Sequence, residues 1–488
     1  MSFASTRLSL EFGDPPLAAA VINWEDYSYD SDFLTPCDAF SMKVGDKQIT
    51  EEMRGFMKGG QSVKLFVQFL DSGGKVLWQN PIFTGFLDAV ELSQERGGTF
   101  FTLHGRNILG PLCDAGIDPW SNTYKFVEGQ TLGDVMGGVF AAFSITDFFL
   151  SDKKNRQIVS GIDKRFAQLQ RHTHKVERYV DILGKRELKQ GEKANEAPGA
   201  LQLITVDETY YEWIDPTNVY DLADKTIKKL QPLHNETFMQ FIERNLQRFH
   251  LHCWAMADGS GVVIGEPDYL QEPLFTITNR LDGRNNNVIK GRIEIDYSKQ
   301  PSAIIAKGFH GGGDFQNTRI RACKVNEFIG YKVINDNGQT IGPILGSGTT
   351  GVEDKLADQI NKFKGLVPLP PNVDLAQKYS RYFTAPSVPR IVFWEDENSR
   401  TQDQLLGAIQ RKMSEYQAQA LKLHYTVQDH IQNGLVWKHN TIVNVKDETL
   451  GIDNPFWVLS VSFKKNRNSG TTTDLVLLPV GTIQFGPK

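Results

Sequence analysis

The chain has 488 residues, 40% hydrophobic and 23% charged, with 43 Gly, 30 Phe, 14 Tyr and a formal net charge of −5. That length exceeds one core and calls for three or four domains. The Gly and aromatic content favours a turn-rich, strand-rich chain, and the acidic balance excludes a global basic field that would draw in nucleic acid or an anionic membrane. Cys37, Cys113, Cys253 and Cys323 form no CxxC pair and read as buried thiols, not as a disulfide framework or metal cluster. The opening "MSFASTRLSLEFG" lacks an apolar h-region, and the most hydrophobic stretch, Val135 to Leu150, is broken by Thr146 and Asp147. The expectation is a chain with no secretory signal and no membrane span, made in a cytoplasm and soluble there.

Residues 1–120 read as strands. Leu8, Leu10 and Phe12 alternate with polar neighbours, Asp26 to Phe40 is aromatic and polar without helical period, and Val63, Leu65, Val67 and Phe69 alternate again. After the turn Asp71-Ser72-Gly73-Gly74 the chain returns from Lys75. Phe83, Gly85, Leu87 and Ala89 then alternate with Thr84, Phe86, Asp88 and Val90, and past Glu95-Arg96-Gly97-Gly98 it comes back as Thr99 to His104. This is a meander with one buried face.

Residues 121–225 read as a small α/β domain. Thr131 and Asp134 start a helix with a capping-box spacing, striped by Leu132, Val135, Met136, Val139, Phe140 and Phe143. Arg156 to Lys193, ending in "GEKANEAPG", is densely charged and reads as an exposed loop or partner-facing arm. Residues 226–290 form a helix striped by Phe238, Phe241, Ile242, Leu246 and Phe249, then a hairpin of Leu251 to Met256 and Val262 to Gly265 about an Asp258-Gly259-Ser260-Gly261 turn.

Residues 291–488 read as a C-terminal β-barrel or strongly curved antiparallel sheet with one long helix and a Gly/Pro-rich insertion. Arg292 to Tyr297 is a strand leading in, and Ile304 to Lys307 is read as the first barrel strand. Gly308 to Pro389 should hold loops and one short helix near Val352 to Phe363. From Gln402 the positions Leu405, Leu406, Ile409, Met413, Tyr416, Ala420 and Leu423 stripe a helix. The period then switches to two at Leu421, Leu423, Tyr425 and Val427. Asn433-Gly434 closes a hairpin. Leu435 to Trp437, Thr441 to Val445, the stretch Trp457, Leu459, Val461 and Phe463, and Thr471 to Leu478 supply the remaining strands.

No catalytic, cofactor-binding or metal-ligating residue is assigned. In "HLHC", His250 and His252 share a strand face with Cys253 on the other, and no second pair stands at a zinc spacing. His172 and His174 sit among Arg171, Lys175 and Arg178 and read as a solvated face. "GSGTTG" at 346–351 lacks the Lys of a phosphate loop. Glu395, Asp396 and Glu397 precede a helix, where negative charge favours the N-terminus. There is neither a G-x-S-x-G elbow nor an H-E-x-x-H helix.

The stretch "LHYTVQDHIQNGLVWKHNTIVNVKDETLGIDNPFWVLSVSFKKNRNSGTTTDLVLLPV" resembles the C-terminal barrel of the baseplate hub proteins of contractile phage tails, the phage Mu hub and late-control tail protein D family. The matching motifs fall in order: a "tVqg" strand, "G-L-W-x-x-N-x-x-V-x-V" and "G-T-T-x-x-L-x-L". "FTGFLDAVELSQERGGTFFTLHGRNILGPLCDAGIDP" is similar to the family's "G-R-D-x-x-G-x-L-x-D" region, with Asn107 where Asp is usual. "EGQTLGDVMGGVFAAF" is similar to its "G-x-T-L-x-D" helix, and the helix-hairpin of 226–290 also matches. Members carry two similar barrels per chain. "NPIFTGFLDAVELSQERGGTFFTLHG" from Asn80 and "NPFWVLSVSFKKNRNSGTTTDLVLLPVG" from Asn454 are candidates for such a duplication.

The resemblance implies an α+β, mainly β, multi-domain fold, with two similar antiparallel β-barrels flanking smaller α/β domains, and it makes the meander of residues 1–120 the N-terminal β-barrel. It implies a structural, non-enzymatic baseplate hub: a homotrimer that adapts a sixfold tail tube to a threefold central spike and forms part of the DNA channel. Its partners would be the tail tube protein, a separate spike (the chain ends at Lys488 directly after its barrel), the other baseplate wedge proteins and the tape measure protein. DNA would pass through the lumen without specific binding, with no membrane partner and no cofactor. The location implied is the virion tail baseplate, assembled in the bacterial host cytoplasm. The alternatives are a hub or spike component of a related contractile injection or type VI secretion system, and a tail-tip cell-wall hydrolase or adhesin.

Overall fold

The computed structural model describes residues 5–484 apart from 14–19, 22–23, 47–53, 56–57, 119–125, 128–131, 146–147, 153–156, 163–164, 182–200, 215–228, 248–250, 310–318, 327–330, 335–339, 342–365, 369–389, 397–398, 400–401, 467–469 and scattered single positions. The first block is β1 (Ser5–Phe12), β2 (Ala20–Val21), β3 (Asp26–Asp32), β4 (Ala39–Gly45), β5 (Ser62–Leu70), β6 (Val76–Glu95) and β7 (Gly98–Asn107). All pair antiparallel, in the spatial order β2-β1-β5-β6-β7-β4-β3. Alternation builds the core: Leu8, Leu10, Val63, Leu65, Val67, Met42 and Val44 are fully buried on one face.

Next come α1 (Gly110–Asp114), β8 (Phe126–Val127), α2 (Leu132–Ala141), β9 (Phe148–Asp152), β10 (Gln157–Ile162), β11 (Arg165–Asp181), β12 (Leu201–Ile214), β13 (Lys229–Leu230), α3 (Phe238–Gln247), β14 (His252–Ala255) and β15 (Val262–Gly265). Six of these strands form one sheet in the order β12-β11-β10-β9-β15-β14. Met136, Val139 and Phe140 of α2 and Phe241, Ile242 and Leu246 of α3 share a buried core beside it.

The loop reading of Arg156 to Lys193 is corrected here. Residues 157–162 and 165–181 are strands, and β11 pairs with β12 from Gln168↔Ile214 to Asp181↔Leu201. The cause lies in the partner sequence: "LQLITVDETYYEWI" is β-branched and aromatic at nearly every second position, and pairing with it overrides the charge density of β11.

β16 (Phe275–Asn279) and β17 (Val288–Ile295) open the last module. It is interrupted by β18 (Ala303–Phe309), β19 (Arg319–Val325), β20 (Tyr331–Ile334), β21 (Thr340–Ile341), β22 (Leu366–Pro368), β23 (Ile391–Asp396) and α4 (Gln402–Ala420). It resumes with β24 (Leu421–Gln428), the short hairpin β25 (Ile431–Gln432) and β26 (Leu435–Val436), β27 (Ile442–Asp447), β28 (Ile452–Asn466) and β29 (Gly470–Pro479).

Ile304 to Lys307, read as the first barrel strand, instead lies in β18, which pairs with β19 and parallel β23 in a separate three-stranded sheet. Its apolar run is explained by α4, whose Leu405, Ile409 and Met413 close over Ile304 and Ala306. The stretch from Gly308 to Pro389 holds strands β19 to β22 among its described residues, beyond the loops expected there. The helix near Val352 to Phe363 lies outside the described residues, as do the helix start at Thr131, Phe249, His250, "GSGTTG" and Glu397.

The fold is thus α+β, mainly β and multi-sheet. The first and last modules join in one 13-stranded sheet, in the order β17-β24-β29-β28-β3-β4-β7-β6-β5-β1-β2, with β16 and β27 branching from β28. Among the described strands no backbone ladder closes into a ring. In the last module the order β16-β27-β28-β29-β24-β17 brings β16 near β17, but side chains seal that seam. The Thr276 N–H donates to Gln432 Oε1 (2.8 Å) and the Thr276 carbonyl accepts from Gln432 Nε2 (2.6 Å) and Asn287 Nδ2 (2.8 Å). The Thr278 N–H donates to Asn287 Oδ1 (2.8 Å). Two amide side chains therefore satisfy an edge that would otherwise be open to pairing.

Candidate functional site

The two modules repeat one plan. In the first, β3-β4-β7-β6-β5 are neighbours; in the last, β17-β24-β29-β28-β27 are neighbours, in the same chain order and with every pairing antiparallel. The flanking strand differs, because β1 runs antiparallel to β5 whereas β16 runs parallel to β27.

Both long hairpins carry a one-residue irregularity at the same place, between Leu87 and Ala89 in β6 and between Val458 and Ser460 in β28. A bulge shifts the phase of alternation. In β6 the inward residues run Phe83, Gly85, Leu87 and then Val90, so Ala89 does not point into the core as strict alternation predicts. Superposing the bulges pairs Val90 with Val461, Leu92 with Phe463 and Gly98 with Gly470. It sets Asn454 against Phe83, so the Asn-Pro dipeptides that suggested the duplication lie three residues out of step.

The junction between the modules is a strand exchange on β28. Along one edge β28 pairs first with β27, from Ile452 to Trp457, and then with β3, from Ser460↔Asp32 to Lys465↔Tyr27; β29 occupies its other edge. At the changeover the Val458 N–H donates to the Thr441 carbonyl (2.8 Å) and the Phe33 N–H to the Leu459 carbonyl (3.0 Å). Phe33 is buried there, its ring 5.1 Å from that of Trp457, 5.0 Å from Trp254 and 5.2 Å from His252. First module, middle hairpin and last module meet at that ring.

Past the changeover the contact is apolar with a polar centre. Val461, Phe463, Tyr27 and Tyr29 are buried in one shared core. Phe463 stacks on His430 (4.4 Å) and packs against Tyr29 (5.6 Å). The Thr473 hydroxyl donates to the Asp429 carbonyl (2.6 Å), so it accepts from His430 Nδ1–H (3.0 Å), and His430 Nε2 accepts from the Tyr27 hydroxyl (2.7 Å). This chain of bonds requires a neutral imidazole. Burial supplies it, holding His430 down to about 3. Thr6 of β1 donates to Asp429 Oδ1 (3.2 Å), a further tie between the modules.

The repeats diverge where their surroundings differ. Leu459 and Leu478 are buried beneath Phe33 and Trp457, whereas the equivalent Asp88 and Arg106 form a two-bond ion pair (2.7 and 3.1 Å) that Asp114 joins (3.0 Å). Facing Leu423 and Leu477 correspond to facing Phe40 and Gly105.

The residues weighed for chemistry are not gathered. His252 is buried against Phe33, and burial, then Arg411, lowers it to about 3. Cys253 is buried in the core of α2 and α3, and burial pushes its thiol up. His172 and His174 stand on β11 opposite Tyr210 and Glu208. Asp396 is buried and accepts from Ser399. Among the described residues no three His, Cys, Asp or Glu side chains are placed to hold a metal ion, and no helix is long and apolar enough to cross a membrane. Cys37 and Cys113, read separately as buried thiols, are half-buried neighbours with sulfurs 2.9 Å apart. The His430 network and the Gln432 part of the seam went unread in the sequence because their partners lie far apart in the chain, Tyr27 with His430 and Thr276 with Gln432.

What these features define is a class: a mainly β scaffold built on an internally repeated module whose copies join in one sheet. Residues 416–479, from the end of α4 to the end of β29, match the family described as tail protein, C-terminal domain. Over the whole fold the chain is similar to the tail protein from Neisseria meningitidis MC58, with 18% identity, 99% of this chain and 100% of that one covered, and a TM-score of 0.58. It is similar also to the 43 kDa tail protein of prophage MuSo2 from Shewanella oneidensis, with 14% identity, 98% and 100% covered, and a TM-score of 0.57. No curated protein matches.

Proposed function

We propose that this chain is a structural component of a phage-type contractile tail, its baseplate hub. As a homotrimer it adapts a sixfold tail tube to a threefold central spike and lines part of the DNA channel. The observation that carries this reading is the repeated strand order with its matching bulges, β3-β4-β7-β6-β5 and β17-β24-β29-β28-β27. Two alike modules per chain, taken three times, offer six quasi-equivalent positions to a sixfold ring while the particle itself stays threefold. The likeness of residues 416–479 to tail-protein domains supports the same reading.

Tail tube, spike, wedge and tape measure proteins are the proposed partners, and the virion baseplate the proposed location. The work is docking, without catalysis or cofactor. A net charge of −5 suits a channel wall that repels phosphate and so lets DNA pass without sticking.

The test is mass measurement in solution, alone and with candidate tube and spike proteins. A threefold mass that binds both is expected; a single-copy mass that engages neither overturns the proposal. Tight binding of duplex DNA at low salt would overturn the channel role.

A further inference from the structure

The internal junction has a counterpart that no described strand fills. β28 uses one edge for β27 and then for β3. Its repeat, β6, uses the same edge for β5 as far as Phe86, and beyond Asp88 no described strand pairs there. β3 pairs with β4 on one side and β28 on the other; its repeat, β17, pairs with β24 on one side, and the other edge of Gly291–Ile295 pairs with no described strand. The side chains report the same vacancy. Phe463 and Val461 are 0% and 2% exposed against β3, whereas the equivalent Leu92 is 64% exposed. Tyr29 and Ser31, covered by β28 at 5% each, correspond to Ile293, half-buried, and Ile295, 40% exposed. Each chain therefore ends in two unlike, mutually complementary edges, each carrying apolar residues at the positions that the internal junction buries.

We infer that the second half of β6 in one copy of this chain pairs antiparallel with β17 of the next copy, in the register that β28 and β3 already use within the chain. Carried over residue by residue, that register sets Val90 opposite Ile295 and Leu92 opposite Ile293, so both pairs of apolar side chains enter one continuous core. Glu91 falls opposite Glu294, a like-charge pair that Arg292, bonded to Glu294 at 2.9 Å, partly neutralises. The contact is head-to-tail, so it closes into a ring or runs on as a fibre according to the rotation it imposes. If the rotation equals that between the modules inside one chain, the ring holds equal modules throughout. This inference rests on the trimer proposed above and names the surface that makes it.

The test uses the full chain with Glu91→Cys and Glu294→Cys together. These positions face each other across the proposed contact as Ser462 and Asp30, which are hydrogen-bonded, face each other inside the chain. Treated with oxidised glutathione, the double variant should yield a covalent trimer on a non-reducing gel, and Glu91→Cys combined with Ile289→Cys, out of register, should not. A threefold mass with no cross-link, or with equal cross-linking in both variants, overturns the edge pairing and leaves the trimer standing. An open-ended ladder of multiples keeps the edge pairing and overturns the closed ring. Chains of single mass without cross-links overturn both. Independently, Leu92→Lys changes an exposed residue and should leave the melting of the separated chain unmoved while reducing the assembled fraction at least tenfold; unchanged assembly overturns the inference.

Discussion

Phe463 and Leu92 occupy one position of a repeated hairpin in two environments, so their truncation tests the whole account of the repeat. Phe463 is fully buried, stacked on His430 at 4.4 Å and packed on Tyr29 at 5.6 Å. Phe463→Ala removes the ring from the seam where β28 meets β3, and the cavity is held open by ladders on both edges of β28. Loss of buried area plus an unrelaxed cavity costs about 3–5 kcal/mol. Leu92→Ala, at 64% exposure, removes little buried surface and should stay within about 0.5 kcal/mol in the separated chain. Guanidinium unfolding followed by tryptophan fluorescence measures both, with Trp437 and Trp457 buried in the last module. Tyr29→Ala combined with Phe463→Ala should show a coupling of about 0.5–1.5 kcal/mol. Equal losses at the two positions, or a cost below about 1 kcal/mol for Phe463→Ala, would refute the argument that one seam is filled and its repeat is open.

Three further outcomes follow from other parts of the fold. Gly105→Ala places a Cβ 2.4 Å from the Phe86 carbonyl and 2.6 Å from the Phe40 ring, so it should cost about 1–3 kcal/mol; Phe40→Leu, which moves the pair toward Leu423 and Leu477, should restore part of the loss in thermal melts. His252 and His430, both held at about 3 by burial, contribute stability that is complete above their unfolded pKa of about 6.5 and drains away as pH falls toward 3, at about 1.4 kcal/mol per pH unit for each. Asp38, pushed up to about 6 by burial, works in the opposite sense: its contribution is full below about 4 and lost as pH rises through 6. His430→Gln should flatten the acid limb of a melting-against-pH curve, and an unaltered limb would contradict its buried neutral state. Mild oxidation should link Cys37 to Cys113, which lie 76 residues apart in sequence, and raise stability by about 4 kcal/mol, while Cys253, fully buried, stays reduced on peptide mapping.

Much of the fold was legible because it rests on period. The stripe Leu405, Ile409, Met413 and the alternation Leu421, Leu423, Tyr425, Val427 mark α4 and β24 by themselves, and the positive φ of Asn433 and Gly434 is what that dipeptide offers cheaply. The duplication was legible only in outline. Its true register is carried by a phase slip at Asp88 and Leu459, and strict alternation conceals a slip of one residue. Volume exchange hid it further, since Phe40 with Gly105 fills the space of Leu423 with Leu477. Charge masks strand β11, and the short apolar run of β18 does not say which neighbour buries it. The junction itself joins residues about 430 positions apart, and local pattern carries no information about such a partner.

The divergence of the repeats argues that their likeness serves edges and their difference serves faces. Strand order and bulge position, which set where an edge lies and how it twists, are the same in both modules. The outward-facing residues beside the bulge are not: Leu459 and Leu478 lie beneath Phe33 and Trp457, where a charge would be costly to bury, whereas Asp88 and Arg106 stand at a solvent-reached position where an ion pair is inexpensive. A module kept for its own core alone would have no reason to hold a bulge in register while exchanging the side chains around it. Kept edges with exchanged faces are what a chain needs if each module must pair with a like neighbour along the sheet yet dock something different on its outer side.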